Sequence, residues 1–170
     1  MDNRQSIGAQ CATIGLISDT HGLLRHEALD ALRGADLVIH AGDVGGSEII
    51  EALERLAPVI AVRGNTDNEL WAAALPETAI VEAGSTIIYV LHDAGKLDLD
   101  PPAAGIQMVV SGHSHKPSLT ERRGVLYINP GSAGPRRFAL PVTVARMNLR
   151  RIPWEVSFID LSSAGCAPDR

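Results

Sequence analysis

The chain has 170 residues, 45% of them apolar and 21% charged, with a formal net charge of −5, the composition of one soluble globular domain and far from a disordered or collagen-like chain. The acidic balance excludes a broad basic face for extended nucleic acid or anionic membrane, but leaves room for a small anionic substrate where local cations offset the charge. No apolar run approaches the roughly 18 residues of a spanning helix, and the two cysteines, Cys11 and Cys166, stand at opposite ends of the chain without metal-type spacing, so neither a membrane segment nor a disulfide framework is expected and a reducing, cytoplasmic compartment is the simplest setting.

Residues 1–10 are polar and read as a flexible tail before a single domain over 11–161. Ala12–Ile17 is a short apolar run that ends abruptly at Ser18 and Asp19, the pattern of a buried strand. Leu24, Ala28, Leu29 and Leu32 recur at helical spacing within Leu23–Arg33, which Gly34 closes. Leu37–Ala41 predicts a second strand. Ser47 is placed to cap a helix carrying Ile49, Ile50, Leu53 and Leu56, and Pro58 precedes a third strand over Val59–Val62. Strands alternating with helices imply a parallel sheet.

Beyond Pro76 the rhythm changes. Ala79–Glu82 and Thr86–Leu91 flank an Ala-Gly-Ser turn and predict a hairpin, and Lys96–Gly105, with Pro101 and Pro102, is a connecting segment or short helix. Met108–Ser111, Leu119–Arg122, Val125–Asn129, Val142–Leu149 and Trp154–Ile159 complete a strand-rich half, expected to form a second, largely antiparallel sheet before a C-terminal tail over 162–170.

The side chains able to bind metal fall just past predicted strands: Asp19 and His21, Asp43, Asn65, His92, then His113 and His115. Loops beyond the carboxyl ends of strands form the ligand crevice of open α/β sheets, so residues distant in sequence can converge there. Asp19 and His21 are two apart in extended chain and can reach one ion, as can His113 and His115. Gly42, Gly64 and Gly112, each just before such a residue, let backbone approach without a Cβ. A carboxylate can bridge two ions, and Asp43 is the central acidic residue of the set. Two divalent cations less two carboxylates leave a cationic floor suited to a phosphate ester. Ions roughly 3.5–4 Å apart can share a water and lower its pKa toward neutrality, which supplies a nucleophile without serine or cysteine.

Asp19-Thr20-His21, Gly42-Asp43, Gly64-Asn65-Thr66-Asp67, His92 and Gly112-His113-Ser114-His115, followed by Asn129-Pro130-Gly131-Ser132, resemble in identity and order the calcineurin-like metallophosphoesterases. Within them, the match is to the small bacterial and archaeal phosphodiesterase group that also includes the retromer subunit Vps29. The resemblance implies a four-layer α/β/β/α sandwich of two mixed sheets flanked by helices. It implies two divalent ions, manganese first and then iron, nickel or zinc. Asp19, His21, Asp43 and His115 would hold one ion, Asp43, Asn65, His92 and His113 the other, with Asp67 in support. The implied activity is hydrolysis of a small phosphodiester by a metal-bridging hydroxide; the alternatives are a Vps29-like protein-binding scaffold, then a phosphomonoesterase or protein phosphatase. Asp93 stands where much of the family has glycine. Thr66 stands where some relatives carry a histidine proposed to protonate the leaving group, and a threonine hydroxyl is a poor acid near neutral pH, so activated esters are the expected substrates.

Other polar residues read as structural. His40 lies in a predicted buried strand and is expected to be a hydrogen-bonded core histidine. His26 is a solvated helix residue, Arg136 and Arg137 after the Asn129 loop could contact a substrate phosphate but stay outside the catalytic set, the pairs Arg122-Arg123 and Arg150-Arg151 are read as exposed turn charges, and Trp71 and Trp154 are packing residues.

Overall fold

The computed structural model describes residues 4–8 and 11–162; the expected C-terminal tail lies outside them beyond Ser162. Within the stretch expected to be loose, Arg4–Ile7 forms a short strand, β1. Arg4, Gln5 and Ser6 are polar and exposed and only Ile7 is apolar, so it lacks the apolar alternation from which a strand is read.

The next three strands, β2 (Thr13–Ile17), β3 (Leu37–His40) and β4 (Val59–Ala61), are almost wholly buried, as strands covered on both faces must be. They pair in parallel, Ile14 opposite Leu37 and Ile39 opposite Ile60. The helices α1 (His26–Leu32) and α2 (Ser47–Glu54) connect them. Ala28 and Leu32 of α1 and Ile49 and Leu53 of α2 cover the outer face of this sheet around Ile17 and Val38. Ser47 is the first helical residue rather than the cap: Gly46 holds the cap position in extended conformation, and no side chain caps the helix.

The expected hairpin is present as β5 (Thr78–Ala83) and β6 (Thr86–Leu91), antiparallel, with β1 running parallel to β5 at the sheet edge. The rest of that sheet is mixed rather than largely antiparallel. The strands β7 (Met108–Val110), β8 (Ser118–Arg122) and β9 (Val125–Asn129) follow. β6, β7 and β9 run parallel, and β8 returns antiparallel on the far edge, giving the order β1-β5-β6-β7-β9-β8. The last two strands, β10 (Thr143–Asn148) and β11 (Glu155–Asp160), leave that sheet and extend the first one in the order β11-β10-β2-β3-β4. Both sheets are therefore mixed.

Side chains from the two inner faces interdigitate, Leu16, Ile39 and Met147 from one sheet with Val81, Ile88, Met108 and Ile128 from the other. The outer face of the six-stranded sheet is covered by the segment that follows β6, which begins with a 3-10 turn at Ala94–Lys96 and packs Leu97, Leu99 and Ile106 on Tyr89 and Val109. The four layers are helices, sheet, sheet and this irregular cover. Among the described residues no helix is long and apolar enough to cross a membrane. Within each sheet the parallel strands deliver their carboxyl ends to one edge: β2, β3 and β4 lead into Asp19, Asp43 and Asn65, and β6, β7 and β9 into His92, His113 and Asn129. Hydrogen bonds between loops of the two sheets bring those edges together.

Candidate metal centre

Backbone hydrogen bonds lock the loops at this edge to one another. Asp19 N–H donates to the Gly42 carbonyl (3.0 Å), His21 N–H to the Asp43 carbonyl (2.9 Å) and Gly112 N–H to the His92 carbonyl (2.9 Å). The Asn129 side chain donates to the Gly112 carbonyl (2.6 Å) and to Ser114 Oγ (3.0 Å), and Ser132 Oγ donates to the Asp19 carbonyl (3.0 Å). Asp67 is buried and accepts from three backbone groups, Val44 N–H (3.1 Å), Gly45 N–H (2.9 Å) and Gly64 N–H (2.8 Å). It thereby ties the Asp43 loop to the Asn65 loop without itself entering the cluster of donor atoms.

All seven sequence-predicted metal-binding side chains meet at this edge. The ligand atoms of Asp19, His21 and His115 lie within 4.8 Å of one another, as do those of Asp19, Asp43 and His92. His21 and His115 stack with Nε2 atoms 3.3 Å apart. Asp43 Oδ2 stands between two imidazoles, 3.8 Å from His21 Nε2 and 3.4 Å from His92 Nε2. Asn65 Oδ1 is 3.1 Å from His92 Nε2 and 2.9 Å from His113 Nδ1.

Five of the seven, Asp19, His21, Asp43, His113 and His115, adopt left-handed backbone with φ between 46° and 66°. Each such residue costs of order 1–3 kcal/mol, and the cost persists only where surrounding structure over-determines the conformation. Gly64 and Gly112 are required for close approach rather than for a turn: a Cβ on Gly64 would strike Asp43, and one on Gly112 would strike Ser18 and Asp19.

The donor set fits cations. Asp19 Oδ1 is buried with no hydrogen-bond partner among the described residues, 3.2 Å from His115 Nε2; its other oxygen accepts from His113 N–H (3.1 Å). His92 Nδ1 donates to the Ala41 carbonyl (2.8 Å). That bond fixes the ring and turns the Nε2 lone pair of the neutral imidazole onto the oxygens of Asp43 and Asn65, an opposition that only a proton or a cation relieves. The titration of these groups reports the same tension. Burial pushes the Asp19 carboxyl up against the Ser18 hydroxyl and His115, which pull it down. Burial also acts on Asp43, but the hydrogen bond that His92 donates once its Nε2 is protonated, with one from Thr66 N–H, outweighs it and holds the carboxyl well below the usual range. His92 is depressed by burial yet raised overall by Asp43 and the Ala41 carbonyl, and His115 is lowered, by burial first.

His40 is a core histidine, as expected. Its Nδ1 accepts from Gly42 N–H (3.2 Å) and its Nε2 donates to Thr20 Oγ1 (2.9 Å), which passes a hydrogen bond to the Val44 carbonyl (2.8 Å). Complete burial lowers its pKa to about 4. Arg137, for which the sequence leaves a phosphate contact open, places its guanidinium 3.4 Å from His21 Nε2. Asp93 lies beside the cluster, with Oδ1 accepting from Gly95 N–H (2.9 Å) and Oδ2 4.0 Å from His113 Nε2. Asp93 is placed there by following His92 directly, whereas the contact of Arg137 with His21 spans 116 positions and has no local signal.

Residues 13–151 match the family model described as the calcineurin-like phosphoesterase superfamily domain. The chain belongs to the calcineurin-like phosphoesterase superfamily. A probable metallophosphoesterase from Methanocaldococcus jannaschii is 38% identical over 132 residues, 70% of this chain and 67% of the relative. A phosphodiesterase from the same organism is 30% identical over 136 residues, 69% of this chain and 82% of the relative. Chaetomium thermophilum Vps29 shares the fold, with a TM-score of 0.72 over 87% of this chain and 97% of Vps29 at 18% identity. The superfamily is metal-dependent, in keeping with the nitrogen and oxygen donors gathered at the sheet edge.

Proposed function

We propose that the protein is a binuclear-metal-dependent phosphodiesterase acting on small phosphodiesters. The observation that carries this reading is the position of Asp43: one carboxylate oxygen lies within 4 Å of both His21 Nε2 and His92 Nε2, the placement a bridging ligand needs. Asp19, His21, Asp43 and His115 would hold one ion and Asp43, Asn65, His92 and His113 the other. Mixed nitrogen and oxygen ligation suits manganese, iron, nickel or zinc, and manganese is the preferred assignment. When bound, such a pair supplies a water of lowered pKa and offsets the charge on the phosphoryl oxygens.

The residues of the chain orient this chemistry. The Ala41 carbonyl fixes the tautomer of His92, Asp67 holds the two loops that present Asp43 and Asn65, and Arg137 at the rim is placed to grip a phosphate oxygen. Preference for a diester draws on the phosphodiesterase among the relatives. A scaffold role leaves the convergence of seven donors, five of them on strained backbone, without a physical reason.

The test is hydrolysis of bis-p-nitrophenyl phosphate by stripped protein resupplied with single metals. Activity should return with manganese and fall at least roughly a hundredfold in Asp43→Asn and His113→Ala. Activity indifferent to chelation and to both substitutions would refute the proposal. With Thr66 as the only side chain offered at the family's acid position, phenolic diesters should be cleaved far faster than alkyl esters; similar rates would show that another group protonates the leaving oxygen.

A further inference from the structure

Two pockets open beside the metal centre and share a wall. The larger, of about 660 Å³, runs from Asn65 and His92 over Tyr89 and Leu91 to Lys96 and the Arg63–Glu77 ion pair. The second, of about 400 Å³, lies on the other side of His113 and is floored by Ile128 and Tyr127. Alternation along β8 turns Ser118, Thr120 and Arg122 into it, and the Arg122 guanidinium lies over the Tyr127 ring at 5.4 Å. Asp93 lines both pockets and, held by Gly95 N–H, forms the partition.

His92 and His113 both reach Asn65 Oδ1, at 3.1 and 2.9 Å, so a phosphorus atom held by this half of the centre sits at the joint of the two pockets. A phosphodiester carries organic groups on two of its four oxygens, and each group needs a seat. A monoester or a small cyclic diester needs only one. The volumes are in the range that encloses small organic ligands. Each pocket sets hydrogen-bonding side chains on an apolar floor, which fits polar groups the size of a nucleoside or sugar.

We propose, resting on the phosphoesterase reading above, that these pockets are the two substituent seats of an acyclic phosphodiester straddling His113, with Asp93 as the wall between its organic arms. Lys96 and Thr120 are exposed and outside the donor cluster, so Lys96→Trp and Thr120→Trp can fill one seat each. With manganese-loaded protein, each block should lower kcat/KM for bis-p-nitrophenyl phosphate by roughly tenfold or more, mainly through KM. Only one of the two should affect p-nitrophenyl phosphate, which has a single aryl group.

A readout independent of turnover comes from titrating the dinucleoside monophosphate of thymidine into isotopically labelled protein loaded with diamagnetic zinc. Backbone amide signals should move on both sides, at Asn68 and Lys96 and at Ser118 and Arg122. Either block leaving diester hydrolysis unchanged, or amide shifts that are absent or confined to one side, would overturn the two-seat assignment while metal-dependent hydrolysis stands. Failure of the wild-type protein to cleave either ester would instead strike the phosphoesterase reading, and the amide shifts would still decide the seats.

Discussion

Asp67 shows how much of this site depends on a residue outside the cluster of donor atoms. Replacing it by alanine strips three backbone N–H groups of their acceptor, those of Val44 and Gly64 in buried surroundings, and each orphaned buried donor costs about 1–3 kcal/mol. Asp67→Ala should therefore melt well below the wild type and lose metal affinity by roughly 10–100-fold; an unchanged melting temperature with full metal binding would contradict the role assigned to it. Gly64→Ala should be at least as damaging to metal binding, because its methyl would occupy the space of the Asp43 carboxylate. Arg137→Ala should spare the fold and the metals, since the side chain is exposed at the rim. It should raise KM for the diester, the loss of one charge-assisted hydrogen bond being worth about 1.5–3 kcal/mol. The seven donor residues were legible in the sequence because each follows an apolar run. For Arg137 the sequence left a phosphate contact open without choosing it, because its approach to His21 spans 116 positions and is not a local property.

At the scale of elements, the parallel unit β2 to β4 with its two helices was readable because buried parallel strands are continuous apolar runs and the helices carry a one-sided stripe. Sheet membership was less so. The strands β10 and β11 were identified, but which neighbour a strand chooses is a long-range property, and both pair into the first sheet beside β2. β1 escaped notice because backbone pairing with β5, not side-chain burial, defines it. The inner faces should dominate stability: Ile88→Ala, at a fully buried position between the sheets, is expected to cost about 2–5 kcal/mol in chemical denaturation.

The strand β3 also carries a pH dependence. The folded protein holds His40 neutral down to about pH 4, whereas its ordinary pKa is 6.5. The unfolded chain therefore binds the proton first as pH falls. The stability that burial of the neutral ring permits is complete above pH 6.5 and drains away between 6.5 and 4. Between pH 7 and pH 5 the loss amounts to about 2 kcal/mol. Urea titrations of chelator-treated protein should show this slope in the wild type and a flatter one in His40→Gln, and parallel slopes would refute it.

For the molecule as a whole, two mixed sheets meet face to face so that the carboxyl ends of six parallel strands share one edge. The apolar interior supplies the rigidity that keeps five donor residues on left-handed backbone, and with a net charge of −5 the proposed cations would be the main attraction for an anionic substrate. Metal and fold should be linked, because ions that bind the native state alone stabilise it by mass action. The most direct measurement is anomalous diffraction from crystals grown with manganese. Two peaks per chain are expected, one among Asp19, His21, Asp43 and His115 and one among Asp43, Asn65, His92 and His113. Fully occupied crystals with one peak, or with manganese only elsewhere on the surface, would contradict it.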